Sequence, residues 1–128
     1  MTQVTDDVVL LAVPAAGAYL GVLRTATAGL AARLQFTLDE IEDLRIAVDE
    51  ACAMLLAVSA ADAELSCRFT VTDEALIVET SVPTAAPHGR LPAGESFSWQ
   101  VLSALADEVG AHMEGRRATI RLTKRRPS

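Results

Sequence analysis

Few side chains in this chain are spaced for chemistry. Glu50 lies in the run FTLDEIEDLRIAVDEACAMLLA (residues 36–57), on a helical stripe with Asp43, Ala47 and Met54. A carboxylate there can accept a proton, but its neighbour one turn on is a thioether. Arg24 lies on a stripe with Gly17, Gly21 and Ala28 that is otherwise bare of bulk. Residues that small at helical spacing either let a foreign backbone approach closely or pack against their own sheet. Cys52 and Cys67 sit in apolar segments without CxxC or Cys/His spacing, so they read as reduced core residues rather than metal ligands or a redox pair. His88 and His112 stand alone, and neither is assigned a catalytic role. No metal site is expected.

The elements that must position these residues are legible from periodicity. Residues 8–13 read as a strand closed by Pro14. Residues from about 15 to 34 read as a helix with Tyr19, Leu20, Leu23, Thr27, Leu30 and Leu34 on one face. Thr37 and Glu40 form a capping box opening a second helix. Its buried stripe is Ile41, Leu44, Val48, Cys52 and Leu55, and Asp39, Glu40, Glu42 and Asp43 suit its positive N-terminal end. Residues 64–71 and 75–82 alternate as paired strands around a turn at 72–74, and 83–94 is loop. Ser96 or Ser98 starts a third helix running to about Glu108. Strands at 109–113 and 118–123 then pair around Gly115. Helices and strands so segregated predict one α+β domain spanning residues 1–128: a two-layer sandwich with the helices on one face of a mixed, mainly antiparallel sheet.

Composition fits a globular chain of 128 residues, half apolar and 22% charged, with a core of small aliphatic side chains. The uncharged stretch 8–23 follows two aspartates and is interrupted by Pro14, Gly17 and Gly21, poor material for a signal peptide or membrane span. A cytoplasmic location is expected. All 17 acidic residues lie before residue 115, whereas Arg116, Arg117, Arg121, Lys124, Arg125 and Arg126 crowd the end. A net charge of −6 opposes binding to a phosphate backbone, so this basic segment reads as a solvated final strand rather than a nucleic-acid site.

The run at 36–57 resembles the second helix of bacterial anti-sigma factors that are serine-protein kinases of the histidine-kinase-like (GHKL) ATPase superfamily. VPAAGAYLGVLR, VLSALADEV and ATIRLTK agree with that family in order, and SFSWQVLSALADEV looks like its actinobacterial anti-sigma-F branch. The resemblance implies the histidine-kinase-like ATPase (Bergerat) fold and three nucleotide-binding elements. Glu50 matches the glutamate that activates the attacking group. Met54 stands at the Mg²⁺-binding asparagine, where a soft thioether is a poor ligand for a hard cation. Thr80 and Val82 stand at the Asp-x-Gly turn that reads adenine, and Ser96 and Ser98 at phosphate-cradling glycines. With all three elements altered, Glu50 is expected to be a relic, and ATP and Mg²⁺ are expected only if kinase activity persists.

The resemblance also assigns Arg24 to a surface shared by a sigma factor and its antagonist. A planar, multi-donor guanidinium suits an acidic partner; otherwise Arg24 is a solvated helix residue. The implied function is an anti-sigma factor that sequesters an alternative sigma factor of the stress or sporulation type. An anti-anti-sigma protein of the STAS type releases it by partner switching, and the chain forms a homodimer through its first helix and neighbouring strand. The competing reading is an active serine kinase that phosphorylates that antagonist.

Overall fold

Thr37 and Glu40 cap each other as their spacing predicts. The Thr37 hydroxyl accepts from the Glu40 amide at 3.1 Å, and the Glu40 carboxylate accepts from the Thr37 amide at 2.8 Å. In this computed structural model, which describes residues 6–85 and 96–126, they open the central helix α2 (Leu38–Val58). Before it come β1 (Asp7–Pro14), a 3-10 turn (Gly17–Tyr19) and α1 (Leu20–Arg33). After it come β2 (Glu64–Val71), β3 (Ala75–Pro83), α3 (Phe97–Leu105), β4 (Glu108–Glu114) and β5 (Arg117–Arg125).

The connection between α1 and α2 is tight because α1 ends in a Schellman arrangement. Phe36 N donates to Ala31 O and Gln35 N to Ala32 O, with Gln35 left-handed at φ 62°. Phe36 is then buried against the core. α2 lies between α1 and α3 and packs on β3 and β5. Alternate residues of the strands face it: Leu65, Cys67 and Phe69 from β2, Leu76, Val78, Thr80 and Val82 from β3, and Ala118, Ile120 and Leu122 from β5. From the helices, Leu23, Leu44, Val48, Cys52, Leu55 and Leu102 close the same core.

The α+β sandwich expected from the sequence is present, with one refinement. Every strand pairing is antiparallel, in the order β1-β2-β3-β5-β4, where a mixed sheet was expected. β3 and β4 do run the same way, joined through α3, but β5 folds back at Gly115 (φ 61°) and inserts between them. The parallel strands therefore never meet.

Boundaries differ in three places. Tyr19 lies in the 3-10 turn and is exposed, because the chain enters α1 only at Leu20. The third helix stops at Leu105, and Glu108 already belongs to β4. Pro83 closes β3, and Thr84 bridges to Ser59, so the loop begins later than expected. Its residues 86–95, including His88, lie outside the described residues.

Candidate functional site

The α1–α2 face carries the candidate partner site. α1 and α2 run back to back, which brings Arg24 to Asp49: Arg24 Nη1 lies 3.3 Å from Asp49 Oδ2. Both side chains remain about two-fifths exposed. Arg24 is thus part-exposed beside the bare stripe, with a carboxylate of its own chain against it. Spacing along one helix cannot reveal a carboxylate contributed by the next. Gly17 is exposed and Gly21 and Ala28 are half-buried on the same helix or its entry. An added Cβ at Gly21 would sit 3.5 Å from Arg24 Nη2, so the guanidinium lies back over that glycine.

The positions matched to the nucleotide elements are mostly core. Met54 is only 5% exposed and belongs to the main apolar cluster, with Trp99 packed against that cluster. Thr80 faces inward at 1% exposure and its hydroxyl donates to Ile120 O at 3.5 Å; Val82 is fully buried. Neither strand residue offers a polar group to a nucleotide base. Ser96 is the N-cap of α3, its hydroxyl accepting from Trp99 N at 3.1 Å, so a serine here closes the helix start with its own side chain. Ser98 is half-buried one residue into the helix. Glu50 is half-buried and has no hydrogen-bond or ion-pair partner among the described residues. As a set, a thioether, a buried threonine, a buried valine and a self-capped serine do not fit Mg²⁺-ATP.

Both cysteines are free and buried. Burial, and to a lesser degree the Asp49 carboxylate, pushes the Cys52 thiol up to about 12. Burial and the neighbouring Cys52 push Cys67 up as well. Protonated thiols this deep are packing groups. Among the described residues, no group of three or more His, Cys, Asp or Glu side chains is arranged to hold a metal.

The basic segment is largely tied to the fold. Lys124 Nζ donates to Leu105 O at 3.0 Å, Arg125 pairs with Glu108 at 3.3 Å, and Arg117 Nε donates to Ser81 Oγ at 3.1 Å. No helix among the described residues is long and apolar enough to cross a membrane.

A sheet with one face covered by three helices, the longest opening on a capping box and carrying Glu50 at its middle, is the two-layer sandwich that the histidine-kinase-like resemblance implies. No family model matches the chain. Individual proteins do. It is 35% identical over 101 residues to the anti-sigma-F factor RsbW of Mycobacterium tuberculosis, covering 79% of this chain and 59% of that one. It is 40% identical over 75 residues to the serine-protein kinase RsbW of Bacillus subtilis, covering 56% of this chain and 47% of that one. The chain is a homologue of the RsbW regulators, and its match runs further along the mycobacterial anti-sigma factor than along the Bacillus kinase. It spans about three-fifths of the length of the mycobacterial relative.

Proposed function

We propose that the chain is a cytoplasmic anti-sigma factor. It holds an alternative sigma factor and gives it up when an anti-anti-sigma protein of the STAS type competes for an overlapping surface. The similarity to a protein named as an anti-sigma-F factor, over 79% of this chain, carries the reading. Exchange then depends on the affinity and abundance of the two partners rather than on phosphate transfer. Met54, Thr80 and Val82 support that part, since their side chains pack the core where a nucleotide-binding relative needs a metal ligand, a base-reading carboxylate and a glycine. The final basic strand serves the sheet, and neither nucleic acid nor membrane is a partner.

Arg24 anchors both proteins in this reading, with Gly17, Gly21 and Ala28 admitting their backbones. A charge-assisted contact at a partly desolvated interface is worth about 2–5 kcal/mol when one side is removed. An exposed ion pair contributes only about 0–1 kcal/mol to folding. Arg24→Ala therefore weakens binding of the sigma factor and of the antagonist at least about tenfold, which is about 1.4 kcal/mol, and barely moves the melting temperature. Surface plasmon resonance with each partner, beside a melt of the free protein, tests this. Undiminished affinity for both removes Arg24 from the site.

A homodimer is part of the same proposal. β1 is an edge strand, and Val8, Val9 and Leu10 on it are exposed, as are Tyr19 and Val22 at the start of the first helix. An apolar, unpaired edge invites another strand or helix. Light scattering over a dilution series tests it, and a monomer at high concentration rejects it.

The kinase alternative draws on one observation: a glutamate stands at position 50, half-exposed and without a partner among the described residues, in a chain similar to proteins named as serine kinases. A saturable thermal shift with Mg²⁺-ATP, and phosphate transfer abolished by Glu50→Ala, would establish it.

A further inference from the structure

The carboxylate closest to Arg24 belongs to this chain itself. Asp49 Oδ2 meets Nη1 at 3.3 Å, one contact from one guanidinium nitrogen. Nη2 lies over Gly21, at the place where any larger residue would put its Cβ against it. Neither Arg24 nor Asp49 takes another ion-pair partner among the described residues. Asp49 sits on the outward side of α2, between exposed Ile46 and exposed Ala53, so a protein docking on Arg24 across the α1–α2 face meets Asp49 in the same footprint.

We infer that Asp49 is a built-in competitor for Arg24, occupying in the free chain the guanidinium atom that a partner carboxylate would take. The inference rests on the partner-switching reading above. An incoming carboxylate gains most from two parallel hydrogen bonds across the guanidinium fork. With Nη1 engaged by Asp49 and Nη2 lying over Gly21, the Nη1–Nη2 edge is partly taken, and a second carboxylate approaching it also meets the negative charge of the first. Only a partner that presents an acidic group, and holds it in place with further contacts, displaces Asp49. A neutral surface does not. Because both members of the pair are part-exposed, Asp49 rehydrates when released and the latch opens at little cost. It therefore sets a threshold on the charge of what docks, and both rival proteins must pass it.

Asp49→Asn keeps the size and an acceptor oxygen and removes the charge. It lies on a solvent-facing turn of α2, where the exchange disturbs little packing. Two readouts separate the latch from the partners. In the first, phenylglyoxal modification of the free chain is mapped by mass spectrometry, with exposed Arg68 on β2 as internal reference. Asp49→Asn raises the rate at Arg24 at least about threefold relative to Arg68, and an unchanged ratio overturns the latch. In the second, each partner is titrated against the wild type, Asp49→Asn, Arg24→Ala and the double variant. Asp49→Asn tightens binding at least about threefold, and the gain disappears in the Arg24→Ala background. Unchanged or weaker binding by Asp49→Asn overturns the competition. A gain that survives without Arg24 overturns it too, since removing any negative charge from a chain of net charge −6 would then do the same. A wild type that binds neither protein sinks the sequestration reading instead, and the modification rates alone then decide whether Asp49 shields Arg24.

Discussion

Putting back the residue that a metal-binding relative would carry, Met54→Asn, damages the fold without restoring the chemistry. Met54 is 5% exposed and packed within the main apolar cluster. Replacing it removes the burial of a long apolar side chain, worth about 1.5–3 kcal/mol. The new amide is then buried without a partner, at about 1–3 kcal/mol. The total loss is roughly 2.5–6 kcal/mol, a large part of the roughly 5–15 kcal/mol that holds a domain folded. The melting temperature falls by roughly 10 °C or more, at a few degrees per kcal/mol for a domain of this size. Urea unfolding at 25 °C reads the loss as a lower midpoint with an unchanged slope. Melts with millimolar Mg²⁺-ATP show no shift in either protein. A destabilisation under about 0.5 kcal/mol would mean that position 54 is open and wet. A saturable nucleotide shift would mean that a pocket survives behind it. Either result refutes the reasoning from burial.

The remaining expectations concern the scaffold. Thr37→Ala costs about 1 kcal/mol at neutral pH by removing one half of the capping box. Hydrogen bonds with Thr37, the backbone one first, hold the Glu40 carboxyl below its usual value. That stabilisation is complete above the ordinary glutamate range near pH ~4.3 and is lost as pH falls through the lowered value. Thr37→Ala keeps the backbone N–H that the carboxylate accepts from, so the titration is read with Glu40→Ala: the gap between wild type and Glu40→Ala in urea unfolding narrows in acid, and a gap constant from pH 7 to 3 contradicts it. A thiol reagent at pH 8 labels Cys52 and Cys67 only as fast as the chain unfolds, and prompt labelling of two thiols in the native protein contradicts their burial. Gly29 lies inside α1 with nothing within 4 Å of an added Cβ. Gly29→Ala stabilises by about 0.5–1 kcal/mol, and a melt that fails to rise shows that a contact forms there.

The sequence was most legible where periodicity and local bonds dominate. The capping box at Thr37 and the alternation of β2 and β3 stand as read, as does the stripe Ile41–Leu44–Val48–Cys52–Leu55 except that Ile41 is only half-buried. Strand order was not, because the insertion of β5 between β3 and β4 is a long-range choice that leaves each strand's own pattern unchanged. Tyr19 has the spacing of a buried residue and escapes burial because a single 3-10 turn rotates the chain before α1 begins. Met54 carries the same lesson from the other side. Its stripe looked like a neighbour of the buried one, yet Ala47 and Met54 are themselves buried, because α3 as well as the sheet packs on α2. The half of the candidate site that sequence did not disclose is Asp49, 25 positions from Arg24 and joined to it only by the pairing of two helices.

The place of β5 also sets an order of assembly. β4 touches the rest of the sheet only through β5, and β3 has β5 as its second neighbour, so the sheet is two separate pieces until the final strand described arrives. β2 and β3 can pair across a short turn as they are made, whereas β1 reaches β2 over 50 to 64 positions, with α1 and α2 spanning the gap. Ala118, Ile120 and Leu122 then complete the core across from Val82, Thr80 and Val78, residues 36 to 44 positions earlier. Contacts at that separation slow folding. Until they form, β3 exposes an unpaired, strongly apolar flank, and this is the interval in which the nascent chain is most prone to join a wrong strand.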